Sequence, residues 1–252
     1  MIQGLDTFRE YFKGFEDRYT LIGGVACYLY MENAGVDFRA TRDLDIVLCA
    51  EALDAEFVKQ FWAFVKAANY EHQARYSGNK QYYRFSKPVS NDYPQMIELF
   101  SRKPDDLLLK FDNGLTPIPV DESVCSLSAI LLDEDYYQCL RSGTEVLNGL
   151  PLLKVEFLVP FKMRAWADLS KRKSAGESVD SKSIKKHKYD VFKISQLLIP
   201  EQIVPLADSI KTDVASFIEA MASEKTDLKG IGLHGLTIDQ ILDNLVRIYG
   251  LR

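Results

Sequence analysis

The sequence predicts an α/β (α+β) protein. A mixed sheet flanked by helices is expected over residues 1–153, and a helical domain over 154–252. Three observations predict it. Short apolar runs alternate with amphipathic helical patterns through roughly the first hundred residues. Period-two patterning is concentrated between Tyr70 and Phe100. Beyond Leu158 the periodicity is almost entirely helical.

Leu5, Phe8, Phe12 and Phe15 recur at helical spacing and predict a first helix over 5–15. Tyr19-Thr20-Leu21-Ile22 reads as a short strand running into Gly23-Gly24, and Val25 to Met31 as a buried helix closed by Asn33-Ala34-Gly35. A strand then opens at Asp43. Phe57, Phe61, Phe64 and Val65 mark one face of a helix over 57–68. Gln81 to Phe85 and Gln95 to Phe100 are strands joined by the turn-rich Lys87 to Asp92. Leu115 to Val120, with two prolines, is an edge strand or extended connection. Helices follow over 158–171, 184–198, 200–222 and 237–249, the last opened by a Thr237-x-x-Gln240 capping box.

Composition excludes several classes. At 47% apolar and 27% charged residues, the chain describes an ordinary globular protein. No run approaches the roughly 18 apolar residues that cross a membrane, and Met1 to Asp6 lacks a signal-peptide pattern. Cys27, Cys49, Cys125 and Cys139 form no CxxC pair and sit in apolar segments, as reduced cysteines of a cytoplasmic protein do. The net charge of −5 hides an asymmetry: Lys154 to Lys193 holds eleven Lys or Arg against five Asp or Glu, or +6, leaving −11 elsewhere. A cationic segment on an acidic body marks either an anion-binding surface or a solvated helical face.

The chemistry concentrates at Thr41-Arg42-Asp43-Leu44-Asp45-Ile46-Val47. Residues i and i+2 of a strand share a face, so Asp43 and Asp45 emerge side by side. Adjacent carboxylates repel, and a hard cation between them relieves that repulsion. Glu98 interrupts the otherwise apolar Met96-Ile97-Leu99-Phe100. It can complete a three-carboxylate cluster if its strand lies beside that of Asp43, and otherwise faces solvent at an edge. Such a cluster holds two divalent ions about 4 Å apart for in-line displacement at phosphorus. Gly23-Gly24, between strand and helix, allows close approach of a phosphate to free N–H groups.

Leu21-Ile22-Gly23-Gly24-Val25-Ala26 followed by Arg39-Ala40-Thr41-Arg42-Asp43-Leu44-Asp45-Ile46-Val47 resembles the signature of the polymerase-beta-like nucleotidyltransferase superfamily. More narrowly it resembles the AbiEii-type nucleotidyltransferases, toxin components of bacterial abortive-infection and toxin–antitoxin systems. Phe161-Lys162-Met163-Arg164-Ala165-Trp166 and Lys185-Lys186-His187-Lys188-Tyr189-Asp190-Val191 resemble that family's later lysine-bearing and aspartate-ending motifs. Two departures stand out. Gly23-Gly24 replaces the Gly-Ser of many superfamily members, and Lys186-His187 stands where the family often has Lys-Asp.

The resemblance implies a nucleotidyltransferase fold and a magnesium-dependent enzyme that moves a nucleoside monophosphate from an NTP to a hydroxyl acceptor. It implies two Mg²⁺ ions, with Mn²⁺ as an alternative, held by Asp43, Asp45 and Glu98. Lys162 joins those acids as a catalytic residue, and Gly23, Gly24, Thr41, Arg42, Lys186, Lys188 and Asp190 bind nucleotide. RNA, tRNA above all, is the implied acceptor, small hydroxyl compounds staying open, and a cognate antitoxin the implied partner. The alternatives are a catalytically silent protein of the same fold that binds nucleotide or a protein partner, and an unrelated α/β protein.

Overall fold

A mixed sheet organises the chain in the computed structural model, which describes residues 2–49, 54–77, 80–100, 133–224 and 226–251, with the backbone alone over 72–83. The strands are β1 (Tyr19–Ile22), β2 (Asp43–Leu48), β3 (Glu71–Ser77), β4 (Lys80–Ser86), β5 (Met96–Phe100), β6 (Thr144–Leu147) and β7 (Leu150–Leu153). Among the described residues they form one seven-stranded sheet in the order β3-β4-β5-β2-β1-β7-β6. The β2–β5 and β1–β7 pairs are parallel and the others antiparallel. The helices are α1 (Leu5–Tyr11), α2 (Gly23–Asn33), α3 (Ala55–Ala67), α4 (Glu134–Ser142), α5 (Val155–Ser174), α6 (Ser181–Ser195), α7 (Asp208–Ala222) and α8 (Ile238–Ile248). The architecture is mixed α/β, as the sequence predicts.

Several elements differ from the sequence expectation, each for a local reason. α1 stops at Tyr11 because Phe12 leaves the helical conformation as its C-cap. α7 begins only at Asp208, since Pro200 and Pro205 deny the preceding residues two amide donors. β3 was not anticipated: Glu71-His72-Gln73-Ala74-Arg75-Tyr76-Ser77 is too polar to alternate, as suits a strand at the sheet edge. The β6–β7 hairpin was also missed, although Asn148 (φ 52°) and Gly149 (φ 76°) supply the two left-handed residues of a tight hairpin turn. The predicted strand at 115–120 and Cys125 lie outside the described residues.

The chain divides into two compact units. The first contains the sheet, α1, α3 and α2 as far as Leu29. Its core is aromatic. Phe8, Phe12, Phe57, Phe61 and Phe64 of the α1 and α3 segments pack with Tyr19 and Phe85 of the sheet. Ring centroids there stand 5.7 Å apart for Phe8–Phe64 and 5.5 Å for Phe61–Phe85, both edge-to-face. Asp54 caps α3 by accepting the Phe57 N–H at 2.8 Å. This helical layer covers the sheet face that carries Tyr19, Leu21, Leu44, Ile46 and Ile97. By strand alternation Asp43, Asp45 and Glu98 belong to the opposite face.

The second unit contains α5 to α8 with Tyr30–Phe38 and α4 as far as Cys139. Trp166, Phe192 and Phe217 tie α5, α6 and α7 together, and Tyr136 stacks edge-on to Phe161 at 5.1 Å. The Thr237 capping box forms as expected: the Gln240 N–H donates to Thr237 Oγ1 and the Thr237 N–H donates to Gln240 Oε1. Pro160 sits inside α5 and cannot donate to the carbonyl four residues back, that of Glu156. The buried Tyr249 hydroxyl donates to that same oxygen at 2.9 Å. Among the described residues no helix is long and apolar enough to cross a membrane. Cys27 and Cys49 are buried, Cys139 is half-buried, and all three are free thiols.

Tyr249→Phe leaves the half-buried Glu156 carbonyl without its donor and is expected to cost about 1–3 kcal/mol in urea unfolding. Pro160→Ala, which restores an amide donor at that turn, should shrink the penalty in the double variant.

Candidate active site

The parallel pairing of β2 with β5 sets Asp45 opposite Glu98 and Asp43 opposite Met96. Asp43 and Asp45 are half-buried, whereas Glu98 is 6% exposed. Antiparallel pairing of β4 with β5 then sets Arg84 opposite Glu98. A row of ionisable side chains thus crosses three strands on one face: Arg84, Glu98, Asp45. On the far side β1 places Ile22 opposite Asp45, and the chain turns directly from Ile22 into α2.

Gly23 is the first residue of that helix, with φ of 64°. A Cβ there would collide with Asp45 Oδ2, so a left-handed backbone and a carboxylate at contact both require glycine. A Cβ on Gly24 would stand 2.7 Å from Thr41 Oγ1 and 3.4 Å from Arg39 Nη2. The glycine pair, Thr41, Arg39 and Asp45 therefore form one corner at the N-terminal end of α2. Arg42, its side chain exposed, lies next to them in the chain.

Glu98 Oε1 accepts from Arg84 Nε at 2.9 Å and from Arg84 Nη2 at 2.5 Å. Burial, first, and the charge of Asp45, second, push the Glu98 carboxyl up to about 8; Asp43 adds to this, and Arg84 pulls against it. Glu98 thus feels the charge of both aspartates. All-oxygen donors in mutual repulsion fit a hard divalent ion such as Mg²⁺. The arrangement departs from the expected ready-made cluster, however. Among the described residues no group of three or more His, Cys, Asp or Glu side chains stands in a metal-ligating arrangement, and Glu98 is turned to Arg84.

The remaining expected residues belong to the second unit. Lys162 of α5 and Asp190 of α6 form a buried ion pair at 3.0 Å, their side chains 5% and 2% exposed. Lys188 is buried and donates to Glu224 at 2.5 Å, while the Lys186 side chain is exposed on α6. Arg84 and Arg39 were missed as site residues. Arg84 had no readable signal, because the β4–β5 register depends on the path of residues 87–95. Arg39 was legible only as part of the basic approach to Thr41.

No protein-family model matches the sequence, and no curated protein matches it. Among solved structures, the chain is similar to an antigenic nucleotidyltransferase-like protein from Paracoccidioides brasiliensis. The identity is 15%, over 92% of this chain and 94% of that one, with a TM-score of 0.42. The overlap is coarse.

Two measurements probe these groups. Glu98 binds its proton more tightly folded than at its ordinary value of 4.5, so its contribution to stability is present below that pH and is lost as pH rises toward about 8. In chelator, the urea midpoint of the wild type should fall more steeply over that window than that of Glu98→Gln. Asp190→Ala removes the buried carboxylate paired with Lys162 and is expected to cost about 3 kcal/mol or more, read by the same unfolding assay.

Proposed function

We propose that the protein is a metal-dependent nucleotidyltransferase that moves a nucleoside monophosphate from an NTP to a hydroxyl acceptor. One observation carries this reading: Gly23 at the N-terminal turn of α2 lies against Asp45, which is itself in register with Glu98. A phosphate-binding helix start and a set of hard oxygen donors thereby occupy one corner. Mg²⁺ bound there would neutralise triphosphate charge and promote ionisation of the acceptor hydroxyl. Asp43, Asp45 and Glu98 are the residues that would hold it.

In this reading the N–H groups at the start of α2 hold triphosphate oxygens, aided by the dipole of an eleven-residue helix. Thr41 and Arg39, packed against Gly24, border the same phosphates. The acceptor oxygen bonds to the α-phosphorus as the bond to the bridging oxygen breaks and pyrophosphate leaves. Glu98, with its raised proton affinity, is suited to take the acceptor proton. Lys162 and Lys188 already answer Asp190 and Glu224, so the chemical roles are assigned to first-unit residues.

RNA, tRNA in particular, is the proposed acceptor. Lys171 and Lys173 at the end of α5 and Lys182, Lys185 and Lys186 early in α6 are exposed, which supports a phosphate-backbone contact. The toxin role and an antitoxin partner follow from the resemblance of the glycine and Asp-x-Asp segments. A second reading, a catalytically silent nucleotide-binding protein, has one observation in its favour. Arg84 already neutralises Glu98, as a protein that never binds metal would require.

Total tRNA incubated with the protein, Mg²⁺ or Mn²⁺, and each of four α-labelled NTPs should acquire label from one of them. Asp43→Ala should reduce that labelling by at least a hundredfold. Metal-dependent NTP binding without transfer to any acceptor would favour the silent reading, and absence of both would exclude the two together.

A further inference from the structure

The second unit holds a cavity of about 280 Å³ in the groove between α5 and α6. Trp166, Ser170 and Lys173 line it from α5, recurring at i, i+4 and i+7. Ser181, Lys185 and Lys188 line it from α6 at the same intervals. Each set forms one ridge about two turns long, so the groove runs for roughly 10 Å. The ridges meet at the hairpin end, where Lys173 Nζ donates to Ser181 Oγ. The lining is of two kinds. Ile184 and the Trp166 ring, which Phe217 holds edge-to-face at 5.1 Å, give it an apolar wall. Three lysines face a single carboxylate, that of Glu224 just past the end of α7. Glu224 accepts from the buried Lys188 Nζ at 2.5 Å, whereas the exposed Lys173 and Lys185 form no ion pair among the described residues. Those two ammonium groups are a surplus of positive charge at the hairpin half of the groove.

We infer that this cavity docks one nucleotide unit of single-stranded RNA, the base against Trp166 and the phosphate between Lys173 and Lys185. The inference rests on the RNA-acceptor reading above and gives the second unit its part in that reading. An unpaired base presents a flat π-face, and the phosphate beside it a negative charge, so a nucleotide matches both kinds of lining at once. A bare anion has no use for the indole, and a duplex withholds its bases from it. The Ser170 and Ser181 hydroxyls offer donors to sugar or phosphate oxygens. Glu224 and Lys188 occupy the end of the groove remote from the hairpin, beside Trp166. The carboxylate there repels phosphate, which sets the polarity of the ligand: phosphate toward Lys173, base toward Lys188.

Binding of a short fluorescein-labelled oligoadenylate, followed by anisotropy in chelator and without NTP, reads this site without reference to catalysis. Wild type, Lys185→Gln, Trp166→Leu and Glu224→Gln are compared, each first checked by circular dichroism and urea unfolding. Lys185→Gln should raise Kd about threefold or more and flatten the log–log salt slope by about 0.7. Trp166→Leu should raise Kd about tenfold with the slope unchanged. Glu224→Gln, which removes the repelling carboxylate, should tighten binding. In Trp62→Phe the sole remaining indole is that of Trp166, and the oligonucleotide should quench its emission. Unchanged Kd and slope in Lys185→Gln, weaker binding by Glu224→Gln, or Trp166 emission untouched at saturation overturns the inference; tRNA labelling by the same protein then leaves the RNA-acceptor reading standing. Should Trp166→Leu fail to fold, Lys185→Gln, whose exposed side chain lies outside the core, decides alone. Absence of oligoadenylate binding by the wild type overturns the inference as well, and takes the RNA-acceptor reading with it only if tRNA also stays unlabelled.

Discussion

The register of β2 against β5 is the constraint from which the candidate site follows. Shifting that pairing by one residue would turn Glu98 to the aromatic side of the sheet and bury Ile97 among carboxylates. In the observed register the apolar alternates Leu44, Ile46, Ile97 and Leu99 all enter the core, and the acids are forced onto the face they share. The hydrophobic effect thus brings like charges together. Gly23, Arg84 and the raised proton affinity of Glu98 are all local responses to that juxtaposition.

The sequence was legible where one residue type has a narrow range of uses. Asp43 and Asp45 at i, i+2 on an apolar run announced a shared face, and the glycine pair announced a close approach. Both readings describe what the backbone does within a few residues. The capping box at Thr237 was readable for the same reason. Long-range consequences were not. Whether Glu98 lay beside the aspartates depended on strand order, and Arg84 on a hairpin register set by residues 87–95. The Asn148-Gly149 turn was present in plain form but sat between two short runs, Thr144–Leu147 and Leu150–Leu153, each only four residues long. β3 could not be read from pattern, because an edge strand needs no apolar face.

The basic segment shows how charge counts mislead when pairing is unseen. Its +6 treats every lysine as surface, yet Lys162 and Lys188 are buried against Asp190 and Glu224, and Arg164 reaches Asp213 at 2.7 Å. Two of those acids lie beyond residue 193, outside the counted window. The exposed remainder is a narrower group at the end of α5 and along the first half of α6. Asp190, whose sequence alone left it between an orienting role and a surface one, is almost wholly enclosed.

The hydroxyl that completes the broken turn of α5 arrives from Tyr249, almost a hundred positions later in the chain. A nascent polypeptide emerging from the ribosome therefore carries an imperfect helix until residue 249 has been translated. A ribosome that stalls before residue 249 releases a helical unit lacking its closing bond.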